Sequence, residues 1–104
     1  MLATAIAGID DAAKPRTLIS IMAANNETGV IQPMDEIATM AESANIALHS
    51  DMVQIFGKRH INFSTSKISY ASLSAHKIGG PSGVGALLLA CLLGCLLACL
   101  LACL

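Results

Sequence analysis

A chain of 104 residues has room for one domain and a modest core. Only 12% of it is charged, about half of what soluble domains usually carry, and the deficit sits at one end. All thirteen charged side chains lie at or before Lys77, and residues 86–104 are Ala, Leu, Cys and Gly alone. A net charge of −1 with scattered basic residues offers no stripe to follow a phosphate backbone, which excludes a nucleic-acid partner. The opening MLATAIAGIDDAAK lacks a basic start and a long apolar run, so no secretory signal is expected. The first 90 residues contain no cysteine, which leaves no disulfide framework and points to a cytoplasmic, reducing setting.

Taken in chain order, Thr4 to Ile9 reads as the end of a helix, followed by a loop at Lys14-Pro15-Arg16. Thr17 to Ala24 (TLISIMAA) is short, apolar and β-branched, as expected of a buried strand. Asn25-Asn26-Glu27-Thr28-Gly29 is turn chemistry, with Gly29 able to take a positive φ. Pro33 suits the first turn of a helix, and Asp35 and Glu36 favour its positive N-terminal end. Ile37, Met40, Ala41 and Ala44 recur at helical spacing through Asn45. Ile46 to His49 reads as a second strand ending at Ser50-Asp51, and Ile68 to Ser74 as a third. The turn cluster Gly79-Gly80-Pro81-Ser82-Gly83 precedes a fourth, Val84 to Leu89. Strand, helix, strand, loop, strand is the grammar of an α/β domain with mostly parallel strands and a crossover helix.

In such sheets ligands gather at the carboxyl ends of the strands. Three polar sets fall there: Asn25-Asn26-Glu27, Asp51 with Gln54, and Ser74-His76-Lys77. A strand-end lysine that is partly buried loses its proton more readily, and its amine can then form a Schiff base with an aldehyde. A pyridine cofactor also needs a carboxylate at its ring nitrogen, which Asp51 can supply, and Gln54 can donate to the ring's phenolic oxygen. Ser74, His76 and the amides of the glycine turn can receive a phosphate. The plain readings stand beside these. A strand-end lysine is usually a solvated charge, and a strand-end Asp usually a cap or turn former. His49 reads as a hydrogen-bonded packing residue, His60 as a loop residue and Glu27 as closing its turn. Met22, Met34, Met40 and Met52 are assigned to packing.

Three segments carry a resemblance: SIMAANNETGVIQPMDEIA, LHSDMVQIFGK and SLSAHKIGGPSGVGALLL, in this order and at these intervals. Together they resemble the cysteine desulfurases, enzymes of the class V, pyridoxal-phosphate-dependent aminotransferase-like group, over roughly residues 1–90. The resemblance implies an aspartate-aminotransferase-like large domain of the pyridoxal-phosphate fold type I. It implies that Lys77 binds the cofactor covalently, that Asp51 pairs with the pyridinium nitrogen and that Gln54 meets the phenolic oxygen. It further implies that Ser74 and His76 hold the phosphate, and that Asn26 lies beside the cofactor near the substrate carboxylate. The family converts L-cysteine to L-alanine through a persulfide on a separate catalytic cysteine, and passes the sulfur to acceptors in iron–sulfur cluster or thio-cofactor assembly. Its members are homodimers with the site at the subunit interface.

The family's phosphate-binding turn and the histidine that stacks on the cofactor have no counterpart in this sequence. Neither do its catalytic-cysteine loop, its substrate-carboxylate arginine and its small C-terminal domain. The chain is therefore expected to be a central fragment, inactive alone, with residues 1–90 belonging to the cofactor domain. Where the family usually has a Leu-Gly pair and an Asp, this chain reads Thr65-Ser66-Lys67-Ile68-Ser69. Residues 91–104 form a separate low-complexity tail, in which Cys91, Cys95, Cys99 and Cys103 recur every four residues. The favoured reading of the tail is a frameshift or sequence decay. A membrane helix is disfavoured by the lack of aromatic and basic anchors. A thiolate metal site lacks the turns and polar support such sites use, so no metal is assigned. The competing reading of the whole chain is a non-catalytic truncated remnant that associates with membranes through this tail.

Overall fold

The computed structural model describes residues 1–90 in full and, beyond them, the backbone of Ala98–Cys103. The elements are α1 (Leu2–Ala7), β1 (Leu18–Met22), α2 (Met34–Ser43), β2 (Ala47–Asp51), β3 (Tyr70–Ser74), β4 (Val84–Leu89) and β5 (Ala98–Cys103). Short 3-10 turns occupy Lys14–Arg16, expected as plain loop, and Ala75–Ile78. The sheet runs β1-β2-β3-β4-β5, with β1/β2 and β2/β3 parallel and β3/β4 and β4/β5 antiparallel. Three of its first four strands are thus parallel, and α2 is the crossover between the first two, as the sequence grammar predicts.

Helix α2 shows why these residues fold locally as they do. Asp35 and Glu36 occupy its first turn, where the helix dipole favours carboxylates, and Ile37, Ala38 and Ala41 form its buried stripe. The hydroxyls of Thr39 and Ser43 fold back onto the carbonyls of Asp35 and Thr39, at 2.9 and 2.8 Å, as in-helix Thr and Ser commonly do. Asn45 then takes a left-handed φ of 56°. The amides of Asn45 and Ile46 donate to Glu42 and Ala41 O, both at 2.9 Å, which is a Schellman stop with asparagine in the usual glycine position. The buried Ile46 follows at once and pulls the chain into β2.

The core lies on one face of the sheet, where Leu48 and Ala71 meet Ile37, Ala38 and Ala41 of α2, and Met52, Ile55 and Ile68 close the edges. The other face is open. It carries Leu18, Met22 and Tyr70, exposed by 55%, 42% and 37%, together with Ser20, His49, Asp51, Ser72 and Ser74. Met34, Met40 and Met52 pack into or against the core, but Met22 does not. It falls on the open side because side chains alternate along β1, and its sulfur receives the Asn25 amide at 3.4 Å. No described helix is long and apolar enough to cross a membrane, and the backbone of 98–103 is extended rather than helical. The tail's side chains, and all of Cys91 and Cys95, lie outside the described residues.

Candidate functional site

Parallel strands deliver their C-terminal ends to the same edge of a sheet, and here β1, β2 and β3 bring three polar turns together. After β1, Asn25 closes the turn: its Oδ1 accepts the N–H groups of Glu27 and Thr28, both at 2.9 Å. The closing group is therefore Asn25, not the Glu27 side chain that sequence suggested. Asn26 stands exposed at the tip.

At the end of β2, Asp51 is level with Met22 on one side and Ser72 on the other. Its Oδ1 accepts Val53 N–H at 2.9 Å, an Asx turn, while its second oxygen makes no hydrogen bond among the described residues. Its backbone carbonyl accepts Ala23 N–H at 2.8 Å, and the next amide, Met52, donates to Ser72 O at 3.0 Å. Gln54 follows, half-buried.

The end of β3 carries Ser74, whose Oγ lies 2.7 Å from His76 Nδ1. Lys77 sits in the 3-10 turn Ala75–Ile78, which ends at Gly79 in the left-handed conformation, φ 83°. Gly80 N–H then closes on Ala75 O at 2.8 Å, and a Cβ at Gly80 would stand 2.8 Å from Ala75 Cβ. On the opposite side a Cβ at Gly57 would stand 2.8 Å from Ile78 Cγ2, so the loop after Asp51 lies directly against the lysine turn. Neither close approach was singled out from sequence; an isolated glycine gives no sign of what its missing Cβ would meet.

The partly buried lysine that the sequence suggests is not found: Lys77 and His76 are exposed because no described element covers that end of the sheet. The named residues line neither of two clefts among the described residues. A cleft of about 500 Å³ lies instead between the start of α2 and the loop after β2, lined by Asp35, Glu36, Arg59 and His60 among others. A second, of about 310 Å³, lies at the opposite strand ends beside Glu42, Lys67 and Tyr70. Asn26, His76 and Lys77 are exposed and Asp51, Gln54 and Ser74 half-buried, at or just beyond the carboxyl ends of β1, β2 and β3. Electrostatic perturbation lies elsewhere as well: the hydrogen bond and charge of Lys14 hold the Asp11 carboxyl below its ordinary value, on an exposed loop. Among the described residues no group of three or more His, Cys, Asp or Glu gathers as a metal site would require.

Known proteins are similar to this chain in sequence and fold. The sequence profile of the family described as Aminotransferase class-V matches residues 4–94. Cysteine desulfurase IscS of Rickettsia prowazekii is 51% identical over 72 residues, covering 69% of this chain and 18% of that protein. The mitochondrial cysteine desulfurase of Saccharomyces cerevisiae is 46% identical over 80 residues, covering 76% of this chain and 16% of that one. Among solved structures, the NifS-like protein of Rickettsia africae superposes with a TM-score of 0.76 at 38% identity, over 83% of this chain and 23% of that one. The chain thus spans less than one fifth of the length of these two curated relatives.

Proposed function

Since the chain belongs to the class-V aminotransferase family, among its pyridoxal-phosphate-dependent cysteine desulfurases, we propose that residues 1–90 are the central part of a desulfurase's cofactor domain. One observation carries the assignment of its site. The carboxylate of Asp51 and the amine-bearing turn of Lys77 lie at the same end of adjacent parallel strands, and the loop after Asp51 packs against that turn.

The donor set fits the cofactor group by group. Lys77 offers a primary amine to its aldehyde. The second carboxylate oxygen of Asp51 makes no hydrogen bond among the described residues and would pair with a protonated ring nitrogen. The Gln54 amide donates to the phenolic oxygen. The Ser74 hydroxyl, the His76 imidazole and the amides of the Gly79-Gly80 turn meet the phosphate, and Asn26 lies beside the cofactor, near the substrate carboxylate. When bound, pyridoxal phosphate supplies an electron-withdrawing ring that weakens bonds around the substrate's Cα. In the whole enzyme the Cβ–S bond of L-cysteine breaks, Cβ gains a proton, and sulfur passes to an enzyme thiolate as a persulfide, leaving L-alanine. That thiolate lies outside residues 1–90, which contain no cysteine. The persulfide sulfur then goes to an acceptor protein. Homodimer formation and a cytoplasmic setting belong to the same proposal.

Exposure of Lys77 and His76 supports a further part of this reading: these 104 residues alone do not turn over cysteine. Borohydride reduction of the chain with added pyridoxal phosphate, followed by peptide mapping, tests the site. Label is expected on Lys77 and absent from a Lys77→Ala chain. Label elsewhere in a folded chain removes the assignment, and alanine formed from L-cysteine by this chain alone removes the fragment reading.

A further inference from the structure

On the open face of the sheet a single imidazole links three strands. His49 Nδ1 lies 2.8 Å from Ser20 Oγ of β1, and its Nε2 lies 3.2 Å from Ser72 Oγ of β3. A neutral imidazole has one donor and one acceptor nitrogen, and a hydroxyl serves as either, so both contacts hold in either tautomer.

The two links differ in consequence. Ser20 is level with His49, and β1 and β2 share five paired residues, so that contact reinforces a pairing already long. Ser72 is level with Asp51, two residues beyond His49, so the Nε2 contact runs diagonally toward the strand ends. The β2/β3 pairing has only three residue pairs, of which Asp51–Ser72 is the last, and it closes with Met52 N–H on Ser72 O at 3.0 Å. Asp51 is also paired with Met22 of β1 and Ser74 with Gly85 of β4, but the direct link between these two strand ends is that short pairing.

We propose that His49 is a positioning residue. Through Ser72 it holds the end of β3 level with Asp51, and so fixes the separation between the Asp51 carboxylate and the lysine turn. This rests on the reading of Asp51 and Lys77 as cofactor contacts. It goes further by assigning a site function to a histidine that sequence marks only as packing.

Two amide side chains separate the links, because asparagine places its amide near the imidazole Nδ1 and glutamine near Nε2. His49→Asn keeps the Ser20 contact and loses Ser72; His49→Gln does the reverse. Two readouts follow in the full chain: hydrogen exchange at the Met52 amide without cofactor, and affinity for pyridoxal phosphate by absorbance titration. His49→Asn and Ser72→Ala should each speed Met52 exchange and weaken cofactor binding by roughly five- to tenfold, the equivalent of one hydrogen bond. His49→Gln should stay within about twofold of the parent on both. A histidine that merely adds stability predicts equal effects for Asn and Gln, and that result overturns the proposal, as does cofactor affinity that ignores the exchange order. Should the parent chain take up no pyridoxal phosphate while Met52 exchange follows the order, the brace stands and the cofactor assignment falls.

Discussion

The lysine turn is held by a contact that only glycine permits, and replacing Gly80 with alanine puts that contact under a calculable load. A Cβ there meets Ala75 Cβ at 2.8 Å and Ala75 O at 3.0 Å, both fixed to the backbone rather than at the end of a flexible side chain. Carbon atoms rest at roughly 3.5–4.0 Å, so the two ends of the turn must separate by about an ångström. Overpacking of this kind costs about 1–3 kcal/mol, partly offset by about 0.4–1 kcal/mol from a stiffer unfolded chain. Separation also lengthens the Gly80 N–H to Ala75 O bond that closes the turn around Lys77. Gly79→Ala is the control. Its Cβ meets nothing within 4 Å, but its φ of 83° costs about 1–2 kcal/mol in an L-residue. The two substitutions lower stability by similar amounts in urea denaturation, yet only Gly80→Ala displaces the amine. An ångström of misplacement at reacting atoms costs up to about a hundredfold in rate. Borohydride capture of pyridoxal phosphate on Lys77 should therefore slow roughly ten- to hundredfold in Gly80→Ala and change little in Gly79→Ala. Equal capture in the two chains, or a Gly80→Ala chain as stable as the parent, would refute the reasoning.

Leu48 has no exposed surface, and Leu48→Ala should cost about 2–5 kcal/mol by urea denaturation, while Leu18→Ala on the open face should cost under about 1 kcal/mol. Asp51→Asn keeps an acceptor for Val53 N–H, so the fold should survive while affinity for pyridoxal phosphate, followed by absorbance, falls roughly ten- to hundredfold with loss of the charge at the ring nitrogen. Lys14 depresses the Asp11 carboxyl, so its small stabilising effect is present above the ordinary carboxylate range and lost as pH falls through the lowered folded value. The stability difference between the parent and Lys14→Ala should vanish in acid and shrink with added salt; a difference that grows in acid contradicts the assignment.

Elements that announce themselves by period or punctuation were legible in the sequence. β4 occupies Val84–Leu89 as expected, and α2 starts one residue after Pro33. Its end is two residues short of the expected Asn45, because Asn45 terminates the helix from outside with a left-handed backbone. β3 begins two residues later than expected, since Ile68 is buried as an edge of the core rather than laddered. The strand-end polar sets were also legible, because alternation and strand polarity follow from spacing alone. What spacing does not carry is which groups lie across the ladder from one another. Asp51 opposite Ser72, His49 reaching diagonally to Ser72, and Gly57 against Ile78 all depend on register between segments some twenty residues apart.

The exposure of the two faces explains why cofactor capture and turnover are expected to part company in this chain. Parallel sheets are normally covered on both sides, yet the described helices cover one, leaving Leu18, Met22 and Tyr70 in water beside the row that carries Asp51 and Ser74. Solvent at that edge weakens electrostatic attraction and has free access to any reacting bond. The proposed cofactor contacts in this chain are local, contributed by turns within about fifty residues of one another. Water exclusion is not local: it requires a second layer over the open face. Capture on Lys77 asks only for a slow, reductively trapped step, whereas turnover needs the dry site that such a layer creates.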